Sequence, residues 1–318
     1  MTATSSSGAE LRGAKIAIVG VGKIARDQHI PAIAGLEAFD LAATASRAGS
    51  VDGVASYTDI VDLLAAHPEI PAISLCIPPV PRYDIAVKSL MAGKHTMLEK
   101  PPGATVSEVL KLEKLARAKG VTLFATWHSR YADGVAAARA WLSDRKITSV
   151  QIDWKEDVRR WHPGQEWIWQ PGGLGVFDPG INALSIMTEI LPNPVHLTAA
   201  DLLFPENRST PIAADLTFTG PAGMIVKADF DWRQTGPQSW NITVETTEGL
   251  LQLTDGGAKL AVNGVDQPLP DLGEYPGLYH RFAELIETGK SDVDVSPMLH
   301  VADAFMLGNR KTVAPFFD

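Results

Sequence analysis

Five short apolar runs recur through the first 130 or so residues: KIAIVG (15–20), FDLAATAS (39–46), AISLCI (72–77), HTMLE (95–99) and VTLFAT (121–126). Helical patterns lie between them, in TDIVDLLAAH, YDIAVKSLMAGK and SEVLKLEKLARAKG. Thr105, with Glu108 three residues on, reads as a capping box opening the last of these helices, and Gly120 reads as its stop. Strands alternating with helices require right-handed crossovers, and so a parallel sheet buried on both faces.

After about Gly134 the pattern changes. GVAAARAWLSDR and PGGLGVFDPGINALSIMTEILP each carry a helix, and longer strand-like runs then follow: SVQIDWKED, PVHLTAADLLF, PIAADLTFTG, MIVKADFDW, SWNITVETT and LLQLTD. Several alternate apolar and polar residues, with PAG (221–223) and EG (248–249) as turns, the signature of a largely antiparallel sheet covered on one face. Two domains are expected, residues 1–133 and 134–318, within a length that suits two cores.

The net charge of −9 leaves no basic surplus to neutralise phosphates, so nucleic acid is not an expected partner. Cys76 is the only cysteine, which excludes an internal disulfide and suits a reducing compartment. MTATSSSGAELRG lacks a signal-peptide core and reads as a frayed tail, and no apolar run approaches the ~20 residues that span a bilayer. A cytoplasmic protein with no membrane partner is the expectation.

Gly20-Val-Gly22-Lys23-Ile24-Ala25 fits G-x-G-x-x-A directly after the first strand and before a helix. The first glycine permits a tight turn, the second lets backbone approach a pyrophosphate, and the small third residue allows close helix–strand packing. The first domain therefore reads as a doubly wound Rossmann sheet, and the whole as α/β with a second α+β domain built on an open-faced sheet. Where NAD binders usually place an acid after the second strand, this chain has Ala45-Ser46-Arg47. A hydroxyl and a guanidinium suit the 2′-phosphate of NADP, with NAD also accepted. A solvated loop arginine is the alternative for Arg47.

GVGKIA, CIPP (76–79) and GKHTMLEKPPGAT, in that order, resemble the Gfo/Idh/MocA oxidoreductases over the whole chain. GKIARDQHIPAI and the stretch 154–186 are similar to the family's bacterial aldose 1-dehydrogenases, which oxidise L-arabinose or D-galactose. The resemblance implies oxidation of a cyclic sugar at its anomeric carbon, giving a lactone and NAD(P)H. It implies cofactor contacts from Gly20, Gly22, Lys23, Ile24, Ser46, Arg47, Cys76, Pro78, Glu99 and Lys100. Glu99-Lys100-Pro101 matches the family's E-K-P motif, whose lysine lies near the nicotinamide and the substrate oxygen, and Pro101 is where the family has a cis bond. An ammonium there stabilises negative charge as a hydroxyl loses its proton; a strand-end salt bridge is the alternative.

Many members carry D-x-x-x-H, but here the residues are Asp178 and Asn182. Asparagine cannot carry a proton away at neutral pH, so Asp178 becomes the better acceptor. Asp178 before Pro179 could equally be a helix N-cap. Lys100, Asp178 and Asn182 are thus the catalytic candidates, surrounding an anomeric hydroxyl between the domains. His128, Glu156, Trp161, His162 and Trp232 join them as sugar-binding candidates, since indole walls suit apolar sugar faces. Trp154, Trp167 and Trp169 belong to the same aromatic set, for which core packing is the competing role. No residue set has metal-ligand spacing, and hydride chemistry needs no metal. The free sheet face leads to an expected homo-oligomer. An inositol or other sugar or polyol dehydrogenase, or a non-catalytic sugar- or nucleotide-sensing regulator, would share these motifs.

Overall fold

Alternation along β1 (Ala14–Val19) organises the first sheet in the computed structural model, which describes residues 11–317. Residues 1–10 of the expected N-terminal tail lie outside the described residues. β2 (Phe39–Ala45), β3 (Ala55–Tyr57), β4 (Ala72–Leu75), β5 (His95–Leu98) and β6 (Leu123–Ala125) join β1 in the order β3-β2-β1-β4-β5-β6, every pair parallel. A π-helical turn, Ala25–His29, runs into α1 (Ile30–Ala34), and α2 (Ile60–Ala66), α3 (Pro79–Met91) and α4 (Val106–Lys119) make the later crossovers. Thr105 and Glu108 form the expected capping box on α4, and Gly120 ends it in the left-handed region at φ 66°. Ala17, Val19, Ala43, Ile73, Leu75 and Leu98 pack with Leu63, Leu90 and Leu112 of the helices in one core layer. Ile16 and Ile18, fully buried, alternate with them and face the other way.

The chain continues as α5 (Val135–Leu142), β7 (Ile147–Lys155), α6 (Val158–Trp161) and α7 (Phe177–Ile190). β8 (His196–Pro205), β9 (Ala213–Thr219), β10 (Ile225–Asp231), β11 (Ser239–Thr246), β12 (Gly249–Thr254), β13 (Lys259–Val262) and β14 (Val265–Asp266) come next. After α8 (Glu274–Thr288) and α9 (Ser296–Leu307), β15 (Asn309–Val313) completes a nine-stranded sheet ordered β14-β13-β12-β11-β7-β10-β9-β8-β15. It is mixed: β7 with β10 and β8 with β15 run parallel, the remaining pairs antiparallel. Val150, Ile152 and Trp154 of β7 are buried, as are Val226, Ala228 and Phe230 of β10, while the alternate positions carry Asp153, Lys155 and Asp229. The other face bears an acidic row, Asp201, Asp215 and Asp229 in cross-strand register, with Lys155 and Lys311 paired to its ends. Burial and the two flanking aspartates raise the pKa of Asp215.

The chain forms two compact units, and neither is a single stretch. One holds the residues up to Thr126 together with Tyr275–Asp294; the other holds Trp127–Glu274 and Val295–Asp318. This differs from a single boundary near residue 133, because the buried stripe of α8 (Tyr275, Leu278, Tyr279, Phe282, Leu285) belongs to the parallel-sheet unit. Phe282 stacks on Phe39 and Phe124 at 5.7 and 6.3 Å, and Asp292 hydrogen-bonds both sides of Phe124 through the backbone. Among the described residues, no helix is long and apolar enough to cross a membrane.

In the second unit α7 lies close on β10. A Cβ added to Gly180 would sit 2.6 Å from Cδ2 of the buried Phe230 ring. Gly180→Ala gains up to ~1 kcal/mol of helix propensity but should lose about 1–3 kcal/mol to overpacking. Urea unfolding should show a lowered midpoint at unchanged slope; an unchanged midpoint would mean that Phe230 can turn aside.

Candidate active site

In the parallel-sheet unit the strand order reverses between β1 and β4, the place where such sheets open a crevice at their carboxyl ends. Gly20 follows β1 with φ +95°, and a Cβ there would meet Ile77 Cγ2 at 2.5 Å and the Cys76 carbonyl oxygen at 2.8 Å. This glycine is required by the fold itself. Gly22 is different: a Cβ there would meet nothing within 4 Å. The open volume beside a helix start is what a pyrophosphate would fill, and the fully buried Ala25 keeps the helix close to the sheet. Ile24 is exposed, and Lys23 pairs with Asp27 one turn on.

Ser46 leaves β2 with its Oγ accepting the Ala48 N–H at 3.1 Å, and Arg47 is exposed on the same loop. Arg26 donates to the Ser50 carbonyl at 2.9 Å, which brings a second guanidinium to this loop. Sequence reading did not single out Arg26, because no motif flags it and only the fold carries it there. Cys76 is buried, and Pro78 is exposed as the N-cap of α3. The residues therefore fit a dinucleotide: a glycine that clears room, a helix start behind it, and cationic groups on the loop after β2.

The end of β5 is held from both sides. The Lys100–Pro101 peptide is cis. Arg82 of α3, 2% exposed, donates to the carbonyls of Glu99, Pro101 and Ile77. Glu99 is buried and its Oε2 accepts the Lys100 backbone N–H, while Lys100 itself is half-buried.

The second unit assembles its own polar cluster. Glu156 follows β7 on the buried side of the alternation, two residues beyond Trp154. Trp232 Nε1 donates to its Oε1 at 3.2 Å and Trp240 Nε1 to its Oε2 at 2.9 Å. His162 Nε2 stands 3.7 Å from Glu156 Oε1 and 3.6 Å from Asp178 Oδ2, and the buried Nδ1 of the same ring has no hydrogen-bond partner. Asp178 is buried near the start of α7, whose N-cap is Val176, so the N-cap role weighed for Asp178 is not the one the helix uses. Asn182 lies one turn further on and half-buried. Two buried carboxylates thus share one imidazole.

The aromatic candidates divide by environment. Trp232 and Trp169 are fully buried with ring centroids 5.2 Å apart, and Trp232 lies 5.3 Å from the His162 ring. Trp161 is exposed, packs edge-on to Trp240 at 5.5 Å and donates to Gln238 Oε1 at 3.4 Å. Trp240 was missing from the sequence-derived set, although its alternation with Ile242 and Val244 on β11 was the signal that placed it inward. His128 Nδ1 bonds Glu274 Oε2 at 2.7 Å and lies 3.3 Å from Ser129 Oγ. Among the described residues, no three or more His, Cys, Asp or Glu side chains are grouped to hold a metal ion.

A parallel sheet in this order, with a glycine-lined first turn, is the architecture of an NAD(P)-dependent oxidoreductase. Residues 14–126 match the family model described as "Oxidoreductase family, NAD-binding Rossmann fold". The chain is 45% identical to a galactose 1-dehydrogenase from Pseudomonas fluorescens over 96% of its own length and 99% of that protein's. A crystal structure of a D-galactose-1-dehydrogenase from Rhizobium etli is 60% identical, with TM-score 0.93 over 97% of this chain and 99% of that one. A 3-ketoreductase from Actinomadura kijaniata, 16% identical with TM-score 0.80 over 95% of this chain and 99% of that one, shares the fold. The chain belongs to the Gfo/Idh/MocA oxidoreductase family.

The contrast between the two glycines is testable. Gly22→Val fills only open space, so its unfolding free energy should stay within about 0.5 kcal/mol of the parent. Its dinucleotide Kd, followed by fluorescence titration, should rise about tenfold or more. Unchanged Kd would separate the turn from cofactor binding.

Proposed function

We propose that the protein oxidises a cyclic aldose, D-galactose or L-arabinose, at the anomeric carbon to the aldonolactone, with NADP preferred over NAD. The observation that carries this reading is the pair of buried carboxylates, Glu156 and Asp178, sharing His162, in a chain that matches a galactose 1-dehydrogenase over nearly its whole length. A carboxylate accepts a hydroxyl proton, and a second carboxylate held by two indole N–H groups accepts sugar hydroxyls without reorganising.

A nicotinamide dinucleotide held by the Gly20–Ala25 turn would supply the acceptor for the hydride of C1. Asp178 takes the proton of the C1 hydroxyl as the C1–O bond becomes the lactone carbonyl. Lys100 stabilises the negative charge developing on that oxygen. Asn182 donates and accepts hydrogen bonds at the same hydroxyl, and His162 and Glu156 orient the ring with Trp161 against its apolar face. His128 and Trp232 contribute to the sugar pocket, the latter through Glu156. The turn Gly20–Ala25 carries the pyrophosphate, Arg47 with Ser46 the 2′-phosphate, and Cys76, Pro78 and Glu99 the remaining cofactor contacts.

A panel of aldoses and inositols, followed at the absorbance of NADPH and NADH, tests the substrate. Turnover of D-galactose or L-arabinose supports the reading, and turnover of polyols alone or cofactor binding without any turnover sinks it. Asp178→Ala should lower kcat by about 100-fold or more with NADP affinity kept. For Lys100→Met a similar fall in kcat is expected, whereas a change confined to KM would make Lys100 a binding residue. Arg47→Ala should weaken NADP by about tenfold and leave NAD unaffected.

A further inference from the structure

A cluster of buried titratable side chains stands immediately behind Lys100, and the proposed reaction gives no role to three of them, His29, Tyr275 and Tyr279. Glu99 Oε1 accepts the Tyr275 hydroxyl at 2.6 Å and lies 3.3 Å from His29 Nε2. His29 is fully buried; its Nδ1 meets the Tyr279 hydroxyl at 2.8 Å and Ser74 Oγ at 3.5 Å. Ser74 Oγ in turn lies 3.5 Å from Cys76 Sγ, and the Tyr275 ring stands edge-on to the imidazole at 4.9 Å. The groups come from the π-helical turn, β4, the loop after β5, and α8, and they converge on one carboxylate whose other oxygen holds the Lys100 N–H.

Apolar residues would fill this space with no desolvation of charge, so stability alone does not call for a histidine, a glutamate and two tyrosines. With Nε2 directed at a carboxylate, the imidazole carries its proton there. Burial disfavours charge on His29, but Cys76, Tyr279 and Glu99 outweigh it and hold its pKa well above the ordinary histidine value. Glu99 has the His29 N–H and the Tyr275 hydroxyl at one oxygen and cannot rotate without breaking contacts to both. Arg82 fixes the carbonyls of Glu99 and Pro101, on either side of Lys100.

We propose that His29, Tyr275 and Tyr279 are positioning residues for Lys100: they lock the Glu99 carboxylate in one orientation, and that carboxylate, by accepting the Lys100 N–H, sets the backbone conformation from which the lysine acts. This rests on the reading of Lys100 as catalytic. The sequence hints at it only through the acid preceding the lysine, because Tyr275 and Tyr279 lie some 175 residues further along the chain.

Tyr275→Phe, His29→Leu and His29→Gln decide the matter, each measured for kcat, sugar KM, NADP Kd and thermal midpoint beside Lys100→Met. Tyr275→Phe and His29→Leu should lose about 10- to 100-fold in kcat, with KM and Kd within about threefold of the parent. His29→Gln keeps an N–H donor toward Glu99 and should recover most of that loss. Parent-like kcat in Tyr275→Phe, or losses that follow the thermal midpoint with no rescue by glutamine, would reduce the cluster to packing. Tyr275→Phe removes one hydroxyl and stands as the deciding variant if His29→Leu does not fold. Near-parent turnover in Lys100→Met would instead overturn the catalytic reading, a separate failure. A crystal structure of Tyr275→Phe gives a test independent of substrate: Glu99 leaving the Lys100 N–H supports the proposal, and an unmoved Glu99 refutes it.

Discussion

One buried guanidinium organises the working edge of the first sheet. Arg82, on α3, reaches back to three backbone carbonyls, at Ile77 beyond β4 and at Glu99 and Pro101 beyond β5. Chain ends at the carboxyl edge of a parallel sheet have carbonyls with no strand left to pair them. A charged donor with a planar fork satisfies several at once, and removing it would leave buried acceptors without a donor. Because Ile77 also lies against Gly20, the same side chain indirectly shapes the floor of the dinucleotide turn.

The second unit shows a related economy of placement with the charge reversed. Glu156 sits at a position where the strand pattern calls for an apolar residue, next in line after Val150, Ile152 and Trp154. Two indole N–H groups, Trp240 on β11 and Trp232 just past β10, donate to its two oxygens. Such a cluster is polar but stiff, because each carboxylate oxygen already has a fixed donor.

Much of this was legible in the sequence. Strand–helix alternation fixed the parallel sheet, Thr105 with Glu108 marked the start of α4, and G-x-G-x-x-A located the turn, because each depends on residues close together in the chain. Asp178 and Asn182 fell on one helix for the same reason. What escaped was long-range. Nothing near Arg26 announces that it reaches the loop after β2, alternation turns Trp240 inward but only the pairing of β11 with β7 brings it to Glu156, and Glu99 acquired partners from a helix some 175 residues further on. The division into units failed to follow a single cut because the stripe on α8 reads the same whichever sheet it covers.

That late helix has a consequence for how the protein is made. The parallel sheet is complete in sequence by Ala125, yet Phe39, Phe124 and His29 pack against Tyr279 and Phe282 of α8. During synthesis the nascent sheet must wait, with one apolar face open, until residues 275–294 have emerged from the ribosome. The stretch up to Thr126, though translated early, is therefore among the last to become finished structure, and a premature stop before α8 would release an aggregation-prone fragment rather than a free-standing cofactor module.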